Sequence, residues 1–366
     1  MVSSKKIFHA NNVEIFDTRF KETYPYIVRK TQDNGIRGYI KENEEFLNSG
    51  NTLTFAQDTF TVFYQKERYF TGNKVKVLNP KIKNFNEDIA TFIVAICNFI
   101  LRNFTWGVGS DVNMINLLKI QLPTKKGEID FEFMESFVAE LEAQRVAELE
   151  AYLLATDLKD YKLTRYDEDI LDRFDKLYDN RLEKNTDKIR LEDILDWQVG
   201  IKEIDPLKLN LLYQEGKKYP FYGQATENNG IINYVSLKKE VLNNKNSYPT
   251  ILIHSNNQNI VYLDTPFYLK DGHGATSVLQ NKNMTYKSAL YFMGAIKKVI
   301  KERFDYNSKA TKIGLKNTII ELPIDDKIVD YKFMEDFITV VQKLVIKDVV
   351  LYADKKIEAT REVIER

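Results

Sequence analysis

Cysteine is almost missing from this chain: Cys97 stands alone among 366 residues, so no intramolecular disulfide framework can form. With only three histidines besides, a structural zinc site lacks its ligands. Long apolar runs are absent too. The most apolar stretch, 89–101, falls short of the roughly 20 residues that cross a bilayer and reads as a buried core helix. The opening residues, MVSSKKIFHANN, have no signal-peptide h-region, and the expected location is cytoplasmic, with no membrane partner. Glycine-rich nucleotide loops and P-loops are likewise missing.

Net charge is also lacking, since 53 Lys and Arg balance 53 Asp and Glu. That balance at first counts against a nucleic-acid partner, because neutralising phosphates needs excess Lys and Arg. The distribution is uneven, however. Residues 1–125 and 196–325 each hold 17 basic and 12 acidic residues, a net of +5, whereas 126–165 and 166–195 are net −5 and −4. Two mildly basic lobes therefore alternate with acidic connectors.

What is present is apolar mass, 43% hydrophobic with 12% aromatic, enough for two cores. The chain also repeats itself. At an offset of 200, Phe92, Ala95, Ile96, Ile100 and Phe104 recur as Phe292, Ala295, Ile296, Ile300 and Phe304, and Leu122-Pro123 recurs as Leu322-Pro323. Asp130, Met134, Phe137 and Tyr152 find Asp330, Met334, Phe337 and Tyr352. Earlier in each half the offset is 195, where Tyr24-Pro25 and Asn34-Gly35 meet Tyr219-Pro220 and Asn229-Gly230. The drift between registers places insertions in loops, where binding differences accumulate.

Each half reads as short β-runs (59–64, 250–253, 260–263) punctuated by Asn, Asp and Gly, with Asn-Gly hairpin signals. A helix follows at about 87–103 and 285–303, then a strand ending at the Leu-Pro pair, then a long helix, 131–158 and 331–365, free of Pro and Gly. Met334, Ile338, Val341, Val345 and Tyr352 trace an a/d seam, matched by Met134, Val138, Leu141 and Tyr152. The expected fold class is therefore α+β: a tandem duplication of a β-rich domain and a long helix, the two long helices pairing as an antiparallel coiled coil; the alternative is that each stripe packs on its own lobe. The expected division is a first lobe at 1–125, a long helix at 126–160, a charged connector at 161–190, a second lobe at 191–325 and a second long helix at 326–366.

The duplicated unit, with its IQLP and IELP strand ends and its DFEFMESFVAELEAQRVAELEAYL and YKFMEDFITVVQKLVIKDVVLYADKKIEATREVI helices, resembles the specificity (S) subunits of type I restriction-modification systems and of their type IIB (BcgI-like) relatives. The likeness spans nearly the whole chain. LPTKKGEIDFEFME and LPIDDKIVDYKFME depart from the proline and acidic-Gln opening common in type I subunits and look closer to the BcgI-like branch. The resemblance implies that each lobe is a target-recognition domain for half of a bipartite site in double-stranded DNA. It also implies that the chain itself is not an enzyme. Catalysis then belongs to adenine-specific methyltransferase subunits or a fused methyltransferase-nuclease, which bring S-adenosylmethionine and Mg. In keeping with that, Asn79-Pro80 is followed by Lys81, not by the amino-methyltransferase pattern. The alternative from another class is a non-enzymatic scaffold with duplicated protein-binding lobes.

Candidate readers are polar residues in matched loops: Lys30, Thr31, Gln32, Asn34, Arg37, Gln57 and Lys74 in the first lobe, and Gln224, Thr226, Asn228, Asn229, Asn257, Lys270 and His273 in the second. Asn and Gln can pair bidentately with adenine, Arg and Lys with guanine, and Thr with phosphate. His254 is expected in a loop, with no cysteine or carboxylate cluster to make it catalytic or metal-binding.

Overall fold

The computed structural model describes residues 4–104, 118–179, 185–305 and 308–364. The chain divides into two compact units, Met1–Ala151 with Lys355–Arg366, and Tyr152–Asp354.

In the first unit, β1 (Tyr24–Ile27), β2 (Ile36–Ile40), β3 (Thr52–Ala56), β4 (Thr61–Gln65), β5 (Phe70–Thr71) and β6 (Val75–Leu78) form two three-stranded sheets, ordered β2-β1-β5 and β4-β3-β6. Helix α1 (Glu87–Leu101) opens on an Asn86 cap that accepts from the Ile89 amide at 3.0 Å. Its buried Ile89, Ala90 and Ile93 join Phe55, Val62 and Met134 in one core. The hairpin of β7 (Thr124–Lys125) and β8 (Glu128–Ile129) leads into the long helix α2 (Phe131–Ala155).

The second unit repeats this plan. Strands β9 (Thr186–Arg190), β10 (Asp196–Trp197) and β11 (Glu203–Ile204) precede the counterparts of β1 to β6: β12 (Tyr219–Tyr222), β13 (Ile231–Val235), β14 (Thr250–His254), β15 (Ile260–Leu263), β16 (Tyr268–Lys270) and β17 (Thr276–Gln280). The two sheets run β13-β12-β16-β11 and β15-β14-β17-β10, the first unit's orders with one strand added to each. Even the irregularities recur, because the β1/β2 pairing slips between Tyr26 and Ile27 and the β12/β13 pairing between Phe221 and Tyr222. The chain forms the equivalent of α1 at Tyr286–Arg303, capped by a Thr285/Ser288 box. A sheet of β9, β18 (Ile319–Asp325) and β19 (Ile328–Val329) then leads into the second long helix, Tyr331–Ile364.

Between the long helices the charged connector is not a passive return. It forms α3 (Arg165–Tyr178), started by a Thr164/Asp167 capping box, while 180–184 lie outside the described residues. With α3 placed, the helix at Tyr286–Arg303 is α4 and Tyr331–Ile364 is α5. Helix α3 lays Ile170 and Leu177 on Phe333 and Val340 of α5. Phe174 stacks on Phe337 with ring centroids 3.9 Å apart, and Arg173 bridges Asp330 at 2.7 Å. Lys343, only 15% exposed at its side chain, pairs with Asp167 at 2.9 Å and with Asp160 at 3.3 Å.

These contacts revise the expected a/d seam. Met134 and Met334 are fully buried, but each inside its own unit's core. Leu141, Tyr152, Val345 and Tyr352 face outward; the buried positions beyond the first turns are Val138, Val146, Leu153, Val340, Val350 and Ala353. A straight helix advances 3.6 residues per turn, so a heptad stripe drifts off the packed face unless the helix supercoils. The Leu-Pro pairs also differ from expectation. Leu322-Pro323 lies inside β18, which runs on to Asp325, and Leu122-Pro123 precedes β7 outside any strand.

Candidate nucleic-acid interface

In the first unit, the β1-β2 connection brings Lys30, Thr31, Gln32 and Asn34 to the surface. The Asn-Gly signal does mark a hairpin, but its turn is a longer one closed by a 3-10 turn. Asn34 and Gly35 both take left-handed conformations, φ 53° and 75°, which Asn tolerates and Gly adopts freely. The Asn34 amide donates to the Tyr64 carbonyl at 2.8 Å, and Lys30 pairs with Asp33 and donates to the Ile36 carbonyl at 3.3 Å. Arg37 is exposed on β2.

The β3-β4 and β5-β6 connections reach the same place. The Gln57 amide donates to the Lys74 carbonyl at 3.1 Å. Asp58, 15% exposed at its side chain, binds the Arg29 guanidinium and receives the Lys74 ammonium at 3.3 Å. Lys30, Gln57 and Lys74, far apart in sequence, thus come from three loops tied through Asp58.

The second unit builds its cluster from amides. Asn256 donates to the Gln224 side-chain oxygen and Asn257 to the Gln224 carbonyl, both at 2.6 Å, and Asn259 donates to the Ala225 carbonyl at 3.1 Å. Thr226 is exposed beside them. Asn229 and Gly230 repeat the left-handed pair at φ 53° and 77°, and Asn228 before them, at φ 50°, matches Asp33 at 49°. Lys270 ends β16 and His273 stands in the longer β16-β17 loop, whose Gly272 and Gly274 amides both donate to Glu203 at 3.2 Å. His273 is exposed, and its amide donates to Asp271 at 2.8 Å, which lowers the Asp271 pKa. Gly223, Gln224, Lys270, Asp271, Gly272 and Thr276 line a pocket of about 280 Å³.

His254 is not in a loop. It ends β14, fully buried, with Nδ1 3.0 Å from the Thr276 hydroxyl and Nε2 without a partner among the described residues. Burial brings its pKa down to about 4. Sequence reading includes Asp58 and Asn256 in candidate loops, Gln57-Asp58 and 255–259, but misses that each ties two loops together, because a bond between two loops leaves no periodic mark. Among the described residues no cluster of His, Cys, Asp and Glu could hold a metal ion, and no helix is long and apolar enough to cross a membrane.

Set on this geometry, comparisons with known proteins converge. A family model for the type I restriction modification DNA specificity domain matches the chain over residues 2–151 and 183–347. The chain is 23% identical over 321 residues to the specificity subunit S.BcgI of a type II restriction enzyme from Heyndrickxia coagulans, covering 86% of this chain and 84% of that protein. Among solved structures it is similar to the S subunit of a type I restriction-modification system from M. genitalium, with 14% identity, a TM-score of 0.52, and 99% and 96% of the two chains covered. At that identity the likeness speaks for the fold.

Proposed function

The chain belongs to the type I restriction-modification DNA specificity family, and on that footing we propose that each unit reads one half of a bipartite duplex target while partner subunits perform the chemistry. The observation that carries this reading is the doubled frame: two units with the same strand order, the same slipped hairpin and the same left-handed turn residues present different polar side chains from equivalent loops. A frame that repeats while its loops diverge suits a target with two dissimilar halves.

The readers in this proposal are those of the sequence analysis, in lobes 1–125 and 191–325. The partners are adenine-specific methyltransferase subunits or a fused methyltransferase-nuclease in the cytoplasm, holding S-adenosylmethionine and Mg. Beyond their first turns the long helices pair antiparallel and fix the spacer between the half-sites. In support, Lys356 of α5 meets Glu142 of α2 at 2.8 Å within the first unit.

The test is to map targets for Arg37→Ala and Asn228→Ala. Each should lose about 1–3 kcal/mol of base discrimination, in separate halves of the target. Defects in the same half would overturn the two-unit reading.

A further inference from the structure

The two frames can be aligned atom for atom at one place. The Gln57 amide donates to the Lys74 carbonyl where the Ser255 amide donates to the Ala275 carbonyl, and Phe60 and Gln258 share a left-handed turn at φ 51° and 52°. Asp58 is therefore the structural equal of Asn256. From the matched hairpins, in which Ile27 pairs with Ile36 and Tyr222 with Ile231, Arg29 is the equal of Gln224. The same loop-to-loop contact is thus made twice in different chemistry: an Arg29-Asp58 ion pair in the first unit, and a hydrogen bond from Asn256 to Gln224 in the second.

Resting on the specificity reading above, we infer that Arg29 and Gln224 are equivalent base readers, the first for guanine and the second for adenine, each aimed by its partner Asp58 or Asn256. A guanidinium held at one nitrogen keeps further N–H donors for the two major-groove acceptors of guanine. Among the described residues Arg29 spends only Nη1 on Asp58. The Gln224 oxygen accepts from Asn256 and retains a second lone pair. Its amide nitrogen has no protein partner among the described residues, so the acceptor-donor pair that adenine requires is intact. The chain also makes room for that amide. A Cβ on Gly272 would lie 2.7 Å from the Gln224 nitrogen, closer than side chains tolerate, and the nitrogen belongs to a residue lining the 280 Å³ pocket.

The experiment exchanges the pairs in the full chain and selects bound sequences from a randomised duplex library. Gln224→Arg with Asn256→Asp should change one position of one half-site from adenine to guanine by roughly tenfold or more. Arg29→Gln with Asp58→Asn should do the reverse in the other half. Gln224→Glu, which preserves size, should abolish the adenine preference and favour cytosine, whose exocyclic amine a carboxylate accepts from; it serves as the reporter if an exchanged pair fails to fold. Unchanged preferences in folded variants, with a bipartite target still selected by the unaltered chain, would overturn the assignment alone. No bipartite target for the unaltered chain would overturn the specificity reading beneath it.

Discussion

Single residues in this protein are held to their conformations by neighbours that can be tested one at a time. The hairpin before each long helix turns on two left-handed residues, Lys126-Gly127 in the first unit and Asp326-Lys327 in the second, with Lys327 at φ 65°. A side chain there is strained where glycine is not. Lys327→Gly should therefore raise stability by about 0.5–1 kcal/mol despite the extra freedom of the unfolded chain, measured by chemical denaturation; a loss would mean that the lysine makes a compensating contact. His254 gives a pH dependence. Its folded pKa of about 4 lies below the ordinary 6.5, so the unfolded chain binds a proton that the folded chain refuses. Stability falls as pH drops from about 6.5 to about 4 and levels off below. Between pH 7 and pH 5 this one ring accounts for about 2 kcal/mol of loss. His254→Gln should lose that much less over the same interval, and an equal loss would place the titration elsewhere.

At the level of elements, the helices, the Asn-Gly hairpins and the duplication were legible in the sequence because each leaves a local or periodic trace. Strand Ile260–Leu263 and helix Tyr286–Arg303 fall within a residue or so of their expected bounds. The covering role of α3 was not legible. Its residues look like a solvated charge run, and only the packed arrangement shows Asp167 buried against Lys343. Burial alone would raise the Asp167 pKa, but the Thr164 amide and the Lys343 ammonium outweigh it, and the net shift is downward. Removing the cation strands that carboxylate, so Lys343→Met should cost about 2–4 kcal/mol although it keeps the aliphatic stem. A denaturation midpoint unchanged from the parent chain would show that α3 is held by its apolar face alone. The reader loops were legible as sites of polar variation but not as a cluster, since Arg29, Asp58 and Lys74 meet only through the fold.

At the scale of the whole molecule, helix length is proposed as the measure of the DNA spacer. Four residues inserted after Tyr152, near the end of α2, add about 6 Å of helix, and the preferred spacer should lengthen by one or two base pairs at roughly 3.4 Å each while both half-sequences stay the same. Target selection from a library of varied spacers measures this, and an unchanged spacer would separate the helices from the distance. The division into units has a temporal consequence as well. The first unit comprises Met1–Ala151 together with Lys355–Arg366, and Lys356 meets Glu142 within it. During synthesis its strands leave the ribosome first, yet the segment that completes it emerges only after the whole of Tyr152–Asp354. The half made earliest is thus finished latest, and a nascent chain arrested before residue 355 carries a first unit that is still waiting for its closing turns.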